Sequence, residues 1–251
     1  MDELILPDWP APPGIGACMS TRCGGWSQGA YRSLNLGDHV GDQDELVTKN
    51  RERLQQIAGM PTAPRWLSQL HGSEVVRLDN APPGGRISAD GAITATAGQI
   101  CVVMTADCLP LLLTTRDGSE VAAVHGGWRS LQQGIIAAAL HQFSQPSTEV
   151  MAWLGVAIGP EQFEVGEEVR SLFMAQHSDN SGAFRPGERA GKWFADIYAL
   201  ARGELLRLGV TAIYGGGGCT FTDRDRFFSY RRQNCTGRMA SAIWIDPERS
   251  S

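Results

Sequence analysis

Three short apolar runs follow one another between residues 100 and 125: Ile100-Cys-Val-Val-Met-Thr105, Leu111-Leu-Leu-Thr-Thr115 and Val121-Ala-Ala-Val-His125. Short uninterrupted apolar runs bounded by turn signals read as strands of buried type. Asp117-Gly118 supplies a turn between the second and third, so the stretch predicts a strand–strand–strand segment. Strands of this kind must be covered, which confines the chain to layered architectures.

The flanking sequence supplies the cover. Asp42–Ala58 predicts an amphipathic helix, with acids in its first turn, Leu46, Leu54 and Ile57 as apolar positions, and Gly59 with Pro61 as its stop. Leu131–Phe143, Gly166–Ala175 and Asp196–Leu208 read as further helices. Met151–Ile158, Ala212–Tyr214, Phe227–Tyr230 and Ala242–Ile245 read as strands. Ala81–Gly85 and Ser178–Gly191 are the expected loops. The irregular alternation predicts an α/β (α+β) layered sandwich around a mixed β-sheet. With 251 residues and no convincing linker, one domain spanning 1–251 is expected.

Composition narrows the ligands. Twenty-two Lys+Arg against 27 Asp+Glu give a formal charge of -5, which offers no general basic field for a nucleic-acid backbone. An anionic ligand must be met by a few local arginines. The N-terminus, Met1-Asp-Glu-Leu-Ile-Leu-Pro, lacks the basic and apolar regions of a secretory signal. The longest apolar run, Ile135–Leu140, is far too short to span a bilayer. A cytoplasmic protein with no membrane partner is expected, its six cysteines (18, 23, 101, 108, 219 and 235) reduced. No CxxC pair exists, so a Cys-only zinc knuckle and a thioredoxin-type redox site are not expected.

Only five histidines are present. His71 lies in Gln69-Leu-His-Gly72, Cys108 in Thr105-Ala-Asp-Cys-Leu-Pro110 between two buried-looking strands, and His125 opens His125-Gly-Gly-Trp-Arg129 at a strand-to-helix turn. Two imidazoles and a thiolate with a fourth position open is the donor set of a catalytic zinc site. Spacings of this length have no diagnostic value, so three readings stand at this point: structural residues, metal ligands, or a Cys108 thiolate nucleophile with His71 or His125 as base. His39, His141 and His177 read as structural or surface.

The chain resembles the YfiH family, labelled multicopper polyphenol oxidase or laccase-like and linked to purine nucleoside phosphorolysis. The matching pieces include Ser20-Thr-Arg-Cys-Gly-Gly25, Ser33-Leu-Asn-Leu-Gly37, the His71, Cys108 and His125 motifs, Ala89-Asp-Gly91, Ile158-Gly-Pro160, Phe163-Glu-Val-Gly166, Phe227-Phe-Ser-Tyr-Arg-Arg232 and Gly237-Arg-Met-Ala-Ser241. They run from about residue 18 to 245 in family order. Gly126 and Ser130 depart from the family's usual Ala and Gly. The resemblance implies a cysteine-hydrolase-like fold and a metal on His71, Cys108 and His125. It also implies phosphorolysis of adenosine, inosine, guanosine and methylthioadenosine, with adenosine deamination as a second reaction.

On that basis zinc is the expected cofactor, with copper possible because such sites take Cu²⁺ readily. The expected catalytic set is Cys108, His71, His125 and Asp107, with Asp107 or Asp90 moving protons. Gln69, Asp90, Arg22 and Arg231 are the expected substrate-binding side chains, and Arg231 or Arg232 with Arg22 are the candidates for phosphate. Gly215–Gly218 lacks the Lys-Ser/Thr of a phosphate loop and reads as a turn. Polyphenol oxidation is the alternative, since His71, Cys108, His125 and Met104 have blue-copper identities. Five histidines with no His-x-His pair exclude a true multicopper cluster. A second alternative is an amidase editing peptidoglycan precursors, an activity the resemblance also implies.

Overall fold

The three apolar runs fold as strands, but they divide between two sheets instead of forming one three-stranded unit. The structure, a computed structural model, describes residues 3–81 and 84–248. The chain runs through β1 (Leu4–Ile5), β2 (Ile15–Ser20), α1 (Asp44–Ala58), β3 (Leu67–Ser68), β4 (Val75–Arg77), β5 (Ile87–Ser88), β6 (Gly91–Thr94) and β7 (Ile100–Thr105). It continues through β8 (Leu109–Thr115), β9 (Val121–Gly126), α2 (Trp128–Gln132), α3 (Ile135–Leu140), β10 (Val150–Leu154), β11 (Glu164–Gly166) and α4 (Glu167–Gln176). Last come β12 (Phe184–Pro186), β13 (Lys192–Ala195), α5 (Ile197–Arg207), β14 (Ala212–Gly215) and β15 (Met239–Ile245).

A six-stranded sheet runs β14-β10-β8-β9-β6-β4 and a four-stranded sheet runs β1-β2-β15-β7. The larger is mixed, since β10–β14 and β4–β6 are parallel pairs and the others antiparallel. The smaller is antiparallel throughout, with β15 inserted between β2 and β7. The mixed α/β class read from the sequence is therefore present, in several sheets.

Side chains alternate across a strand, and the larger sheet buries both faces. Leu109, Leu111 and Leu113 of β8 pack with Val124 of β9 and with Ile135, Leu200 and Leu205 of α3 and α5. The intervening Leu112 and Ala123 pack with Val103, Met239 and Ile243 of the smaller sheet. All seven positions of β8 are buried, and that is why its sequence shows no alternation.

Several expectations need correction. The helix expected over Leu131–Phe143 is two short helices, α2 and α3, broken where Gly134 takes φ 81, a left-handed conformation that costs glycine little. Phe227–Tyr230 is not a strand. Phe227 and Phe228 are buried, but their amides bond to Asp223 O and Met239 Sδ, so packing from a loop accounts for their apolarity. The strand expected over Met151–Ile158 stops at Leu154. Within the expected Ser178–Gly191 loop, Phe184–Pro186 forms β12 against β13. The expected Ala81–Gly85 loop includes residues 82 and 83, which lie outside the described residues. The inward face of α1 is Val47, Asn50 and Leu54, because Asn50 bonds the 26–35 segment through Trp26 N, Ser27 Oγ and Asn35 O. No helix among the described residues is long and apolar enough to cross a membrane.

The shortest link between the two sheets is Ala106-Asp107-Cys108, joining β7 to β8. It turns sharply, with Asp107 at φ 89. Elsewhere the boundaries follow local signals: Asp196 caps α5 by accepting a hydrogen bond from Ala199 N at 2.9 Å. Asp196→Ala is expected to cost about 1 kcal/mol. That corresponds to a fall of about 2–4 °C in melting temperature for a chain of this size, measurable by calorimetry.

Candidate metal centre

Each of the three metal-type residues stands at a strand boundary. Cys108 ends the crossover into β8, His125 lies near the end of β9 opposite Pro110 of β8, and His71 sits in the turn between β3 and β4. The fold brings their ligating atoms within 4.8 Å of one another. Cys108 Sγ lies 3.9 Å from His71 Nε2, and the two imidazoles meet edge to face with centroids 4.7 Å apart.

Asp90 holds this arrangement from below. Its carboxylate, 1% exposed, accepts backbone N–H bonds from Leu70, His71 and Gly72 at 3.1, 2.9 and 2.8 Å. The same Oδ1 lies 2.9 Å from His125 Nδ1. One buried carboxylate thus orients both the His71 turn and the His125 ring, leaving His125 Nε2 for a ligand. Burial opposes its ionisation, but the bonds from His125, Gly72 and Leu70 hold Asp90 below the ordinary carboxylate value.

The backbone is strained at His71 and beside Cys108. His71 has φ 59 and Asp107 φ 89, both left-handed without being glycine. Such conformations cost about 1–3 kcal/mol each and persist where the surroundings impose them. At His71 the imposing group is Asp90. At Asp107 it is the residue's own carboxylate, which accepts Thr220 Oγ1–H and Arg231 N–H at 2.6 Å each.

The electrostatics prepare a thiolate. Burial works against ionisation of Cys108, yet the charge of His125 and hydrogen bonds from both rings draw the thiol down to about 6. His125 rises to about 9 against its own burial, held by the Cys108 thiolate and Asp90. A deprotonated sulfur beside two imidazoles is the form in which these residues bind a divalent ion. The donor set fits zinc or copper. Gly127 completes the fit: a methyl group there would stand 3.2 Å from His71 Cδ2, 3.3 Å from Cys108 Sγ and 3.4 Å from His125 Cε1.

The three residues face a cavity of about 450 Å³. Phe163 and Tyr230 give it aromatic walls, Arg231 and Arg238 give it positive charge, and Asp107 is the carboxylate side chain that lines it. This volume lies within the usual range of ligand pockets, roughly 300–1,000 Å³.

The remaining sequence-derived candidates take different places. Gln69 lines the cavity, but its amide is spent on Met104, accepting from N at 2.7 Å and donating to O at 2.9 Å, which ties the His71 turn to β7. Asp90 lies beneath the ligands. Arg231 lines the cavity, with Nη1 donating to Glu164 O at 2.9 Å. Arg22 is not among the lining residues; its guanidinium donates to Arg32 O and Arg224 O and stacks on Phe228. Arg232 donates to the carbonyls of Thr220, Phe221 and Phe227. Met104 Sδ lies 4.0 Å from Arg51 Nη2. Gly215–Gly217 all take positive φ; Gly215 ends β14, paired with Leu154, and the expected turn over Gly215–Gly218 is instead a strand end followed by irregular chain. The cavity also includes His39 and Arg238, to which the sequence reading gave no part in the site. For Arg238 the signal is the Gly237-Arg-Met-Ala-Ser241 motif, to which the family resemblance attaches no role.

Residues 16–246 match the family described as multi-copper polyphenol oxidoreductase laccase. The chain is 49% identical over 245 residues to a purine nucleoside phosphorylase named YfiH from Escherichia coli (strain K12), covering 98% of this chain and 100% of the relative. Among solved structures, a Neisseria meningitidis protein described as DUF152 superposes with TM-score 0.93 at 47% identity, over 98% of this chain and 100% of that one. YlmD from Geobacillus stearothermophilus superposes with TM-score 0.86 at 29% identity, over 93% and 92%.

Two substitutions probe the centre without touching a ligand. Gly127 has an extended backbone that alanine also adopts, so Gly127→Ala should fold while losing metal affinity by about tenfold or more. Asp90→Asn replaces an acceptor oxygen with a donor facing backbone N–H groups and should weaken binding by about 10–100-fold. Both are read by titrating each purified protein with a competing chelator and measuring bound metal.

Proposed function

This chain belongs to the YfiH family, described as multi-copper polyphenol oxidoreductase laccase, and within it we propose that the protein is a zinc-dependent purine nucleoside phosphorylase, with adenosine deaminase as a second activity. Its substrates on this reading are adenosine, inosine, guanosine and methylthioadenosine together with phosphate. The reading takes the chain as one domain in the cytoplasm, with the layered, cysteine-hydrolase-like arrangement implied by the resemblance. The observation that carries it is the cavity itself. A His–Cys–His donor set, aromatic walls and two guanidinium groups share one space of about 450 Å³ in a chain whose relatives are named for this reaction.

His71, Cys108 and His125 would hold the ion, which when bound supplies Lewis acidity to an oxygen or nitrogen of the substrate. The aromatic faces of Phe163 and Tyr230 suit a purine ring. In phosphorolysis a phosphate oxygen bonds to C1′ of the ribose as the C1′–N9 bond breaks. The bonding pair leaves with the purine, and the proton given up by phosphate ends on the base, so the products are free base and ribose 1-phosphate. Asp107 is the group that moves this proton. It is held in place by Thr220 and by the Arg231 amide, with lone pairs left for a third partner. In deamination, water adds its oxygen at C6 of adenosine, ammonia leaves, and the same carboxylate carries the proton from one to the other.

The laccase description asks for several metal ions. Among the described residues, His71, Cys108 and His125 are the group of three suited to one, which favours a mononuclear centre.

Incubation of the purified, metal-loaded protein with inosine is the direct test. Hypoxanthine should accumulate with ribose 1-phosphate only when phosphate is present, and adenosine without phosphate should yield inosine and ammonia. Base release that ignores phosphate would overturn the phosphorylase assignment.

A further inference from the structure

We propose that the phosphate seat of this cavity is the guanidinium of Arg238, backed by Arg231, and not Arg22 or the Arg232 side chain. This assignment rests on the phosphorylase reading and deepens it. Arg238 precedes β15 and is anchored at its backbone, where its N–H donates to Asn35 Oδ1 at 2.9 Å. At the tip, Nη1 donates to Thr236 O at 3.0 Å and Gly237 O at 3.1 Å, and the guanidinium lies 5.8 Å from the Tyr230 ring centroid. Nε and Nη2 donate to none of the described residues, and no described carboxylate forms an ion pair with Arg238.

Elsewhere the acids are spent on arginines: Asp38 serves Arg51 and Arg86, Glu120 serves Arg77, and Glu3 serves Arg53. Within the cavity Asp107 accepts from Thr220 and the Arg231 amide and, among the described residues, forms no ion pair with either guanidinium. The cavity therefore holds two guanidinium groups, neither in an ion pair with a described carboxylate, and on Arg238 two donor nitrogens have no acceptor among the described residues. Unmet donors on a partly desolvated charge are costly, and a dianionic oxyanion that accepts several N–H bonds relieves that cost.

Arg22 and Arg232 differ in place and in bonding. Two donor nitrogens of each bond backbone carbonyls, and neither residue lines the cavity. The seat is also shaped by what is missing beside it. At Gly37 an added methyl would stand 2.8 Å from Arg238 Cγ and 3.2 Å from its Cβ. Glycine at 37 thus lets the arginine stem lie against the Ser33–Gly37 segment with its tip in the cavity. Gly37 is a positioning residue for Arg238.

The experiment is inosine phosphorolysis by the metal-loaded protein with phosphate and inosine varied separately, alongside calorimetric titration with inorganic phosphate alone. Arg238→Met should raise the phosphate KM by about tenfold or more, leave the inosine KM close to wild type and abolish phosphate binding in the titration. Arg238→Lys should recover part of the binding. Gly37→Ala keeps the charge and should raise the phosphate KM by displacing the stem; it carries the test if Arg238→Met fails to fold. Unchanged phosphate KM in these variants overturns the assignment while phosphorolysis itself stands. A wild type that binds phosphate through Arg238 but releases no base with it upholds the anion seat and overturns the phosphorylase reading. Absence of phosphate binding and of phosphorolysis in the wild type overturns both.

Discussion

The Asp90 carboxylate is the contact on which the site's geometry depends. It accepts three consecutive backbone amides from the His71 turn and meets the His125 ring from the same buried position. Those two histidines come from different parts of the larger sheet, one from the turn before β4 and one from β9. Without a shared anchor, the left-handed backbone at His71 would relax and its imidazole would lose register with Cys108. The carboxylate also sets the charge balance: it favours a charged His125, which in turn favours the Cys108 thiolate.

The strands near this anchor were legible in the sequence for a simple reason. On β7, β8 and β9 nearly every side chain is apolar, so their strand character survives any error about which face is inward. Their partition between two sheets was not legible, because nothing in the apolar run marks that β7 pairs with the far end of the chain. Phe227 and Phe228 misled in the opposite sense. Full burial of two aromatics looks the same in sequence whether a ladder or a packed loop holds them. The short strands β3, β5 and β11 offered two or three residues each, too few for a periodicity.

For the site, residue type left three readings of His71, Cys108 and His125 open, and the family resemblance made metal ligation the expected one. His71, Cys108 and His125 were separable from the other histidines and cysteines by their place beside Gly, Asp and Pro at strand ends. Gln69 and Asp90 were expected to touch substrate, while their bonds run to Met104 and to the ligand turn. Sequence cannot distinguish a polar side chain that faces a cavity from one that braces its wall. Arg238 shows the converse: it stands before strand β15 in the Gly237–Ser241 motif with no role marked by sequence, and it reaches the cavity where Gly37 leaves room.

The position of β15 has a consequence for how the protein comes into being. Among the described strands this one comes last in the chain, yet it is an interior member of the smaller sheet, bonded on one side to β2 and on the other to β7. All three metal-type residues leave the ribosome more than a hundred residues before it. During synthesis the nascent chain therefore carries the imidazoles and the thiolate while the sheet behind β7 is open and the wall bearing Arg231 and Arg238 does not yet exist. Long-range pairing of this kind is slow to form. Completion of the cavity is coupled to closure of the chain on itself, so a polypeptide truncated before residue 239 retains the ligands but lacks the strand that joins β2 to β7.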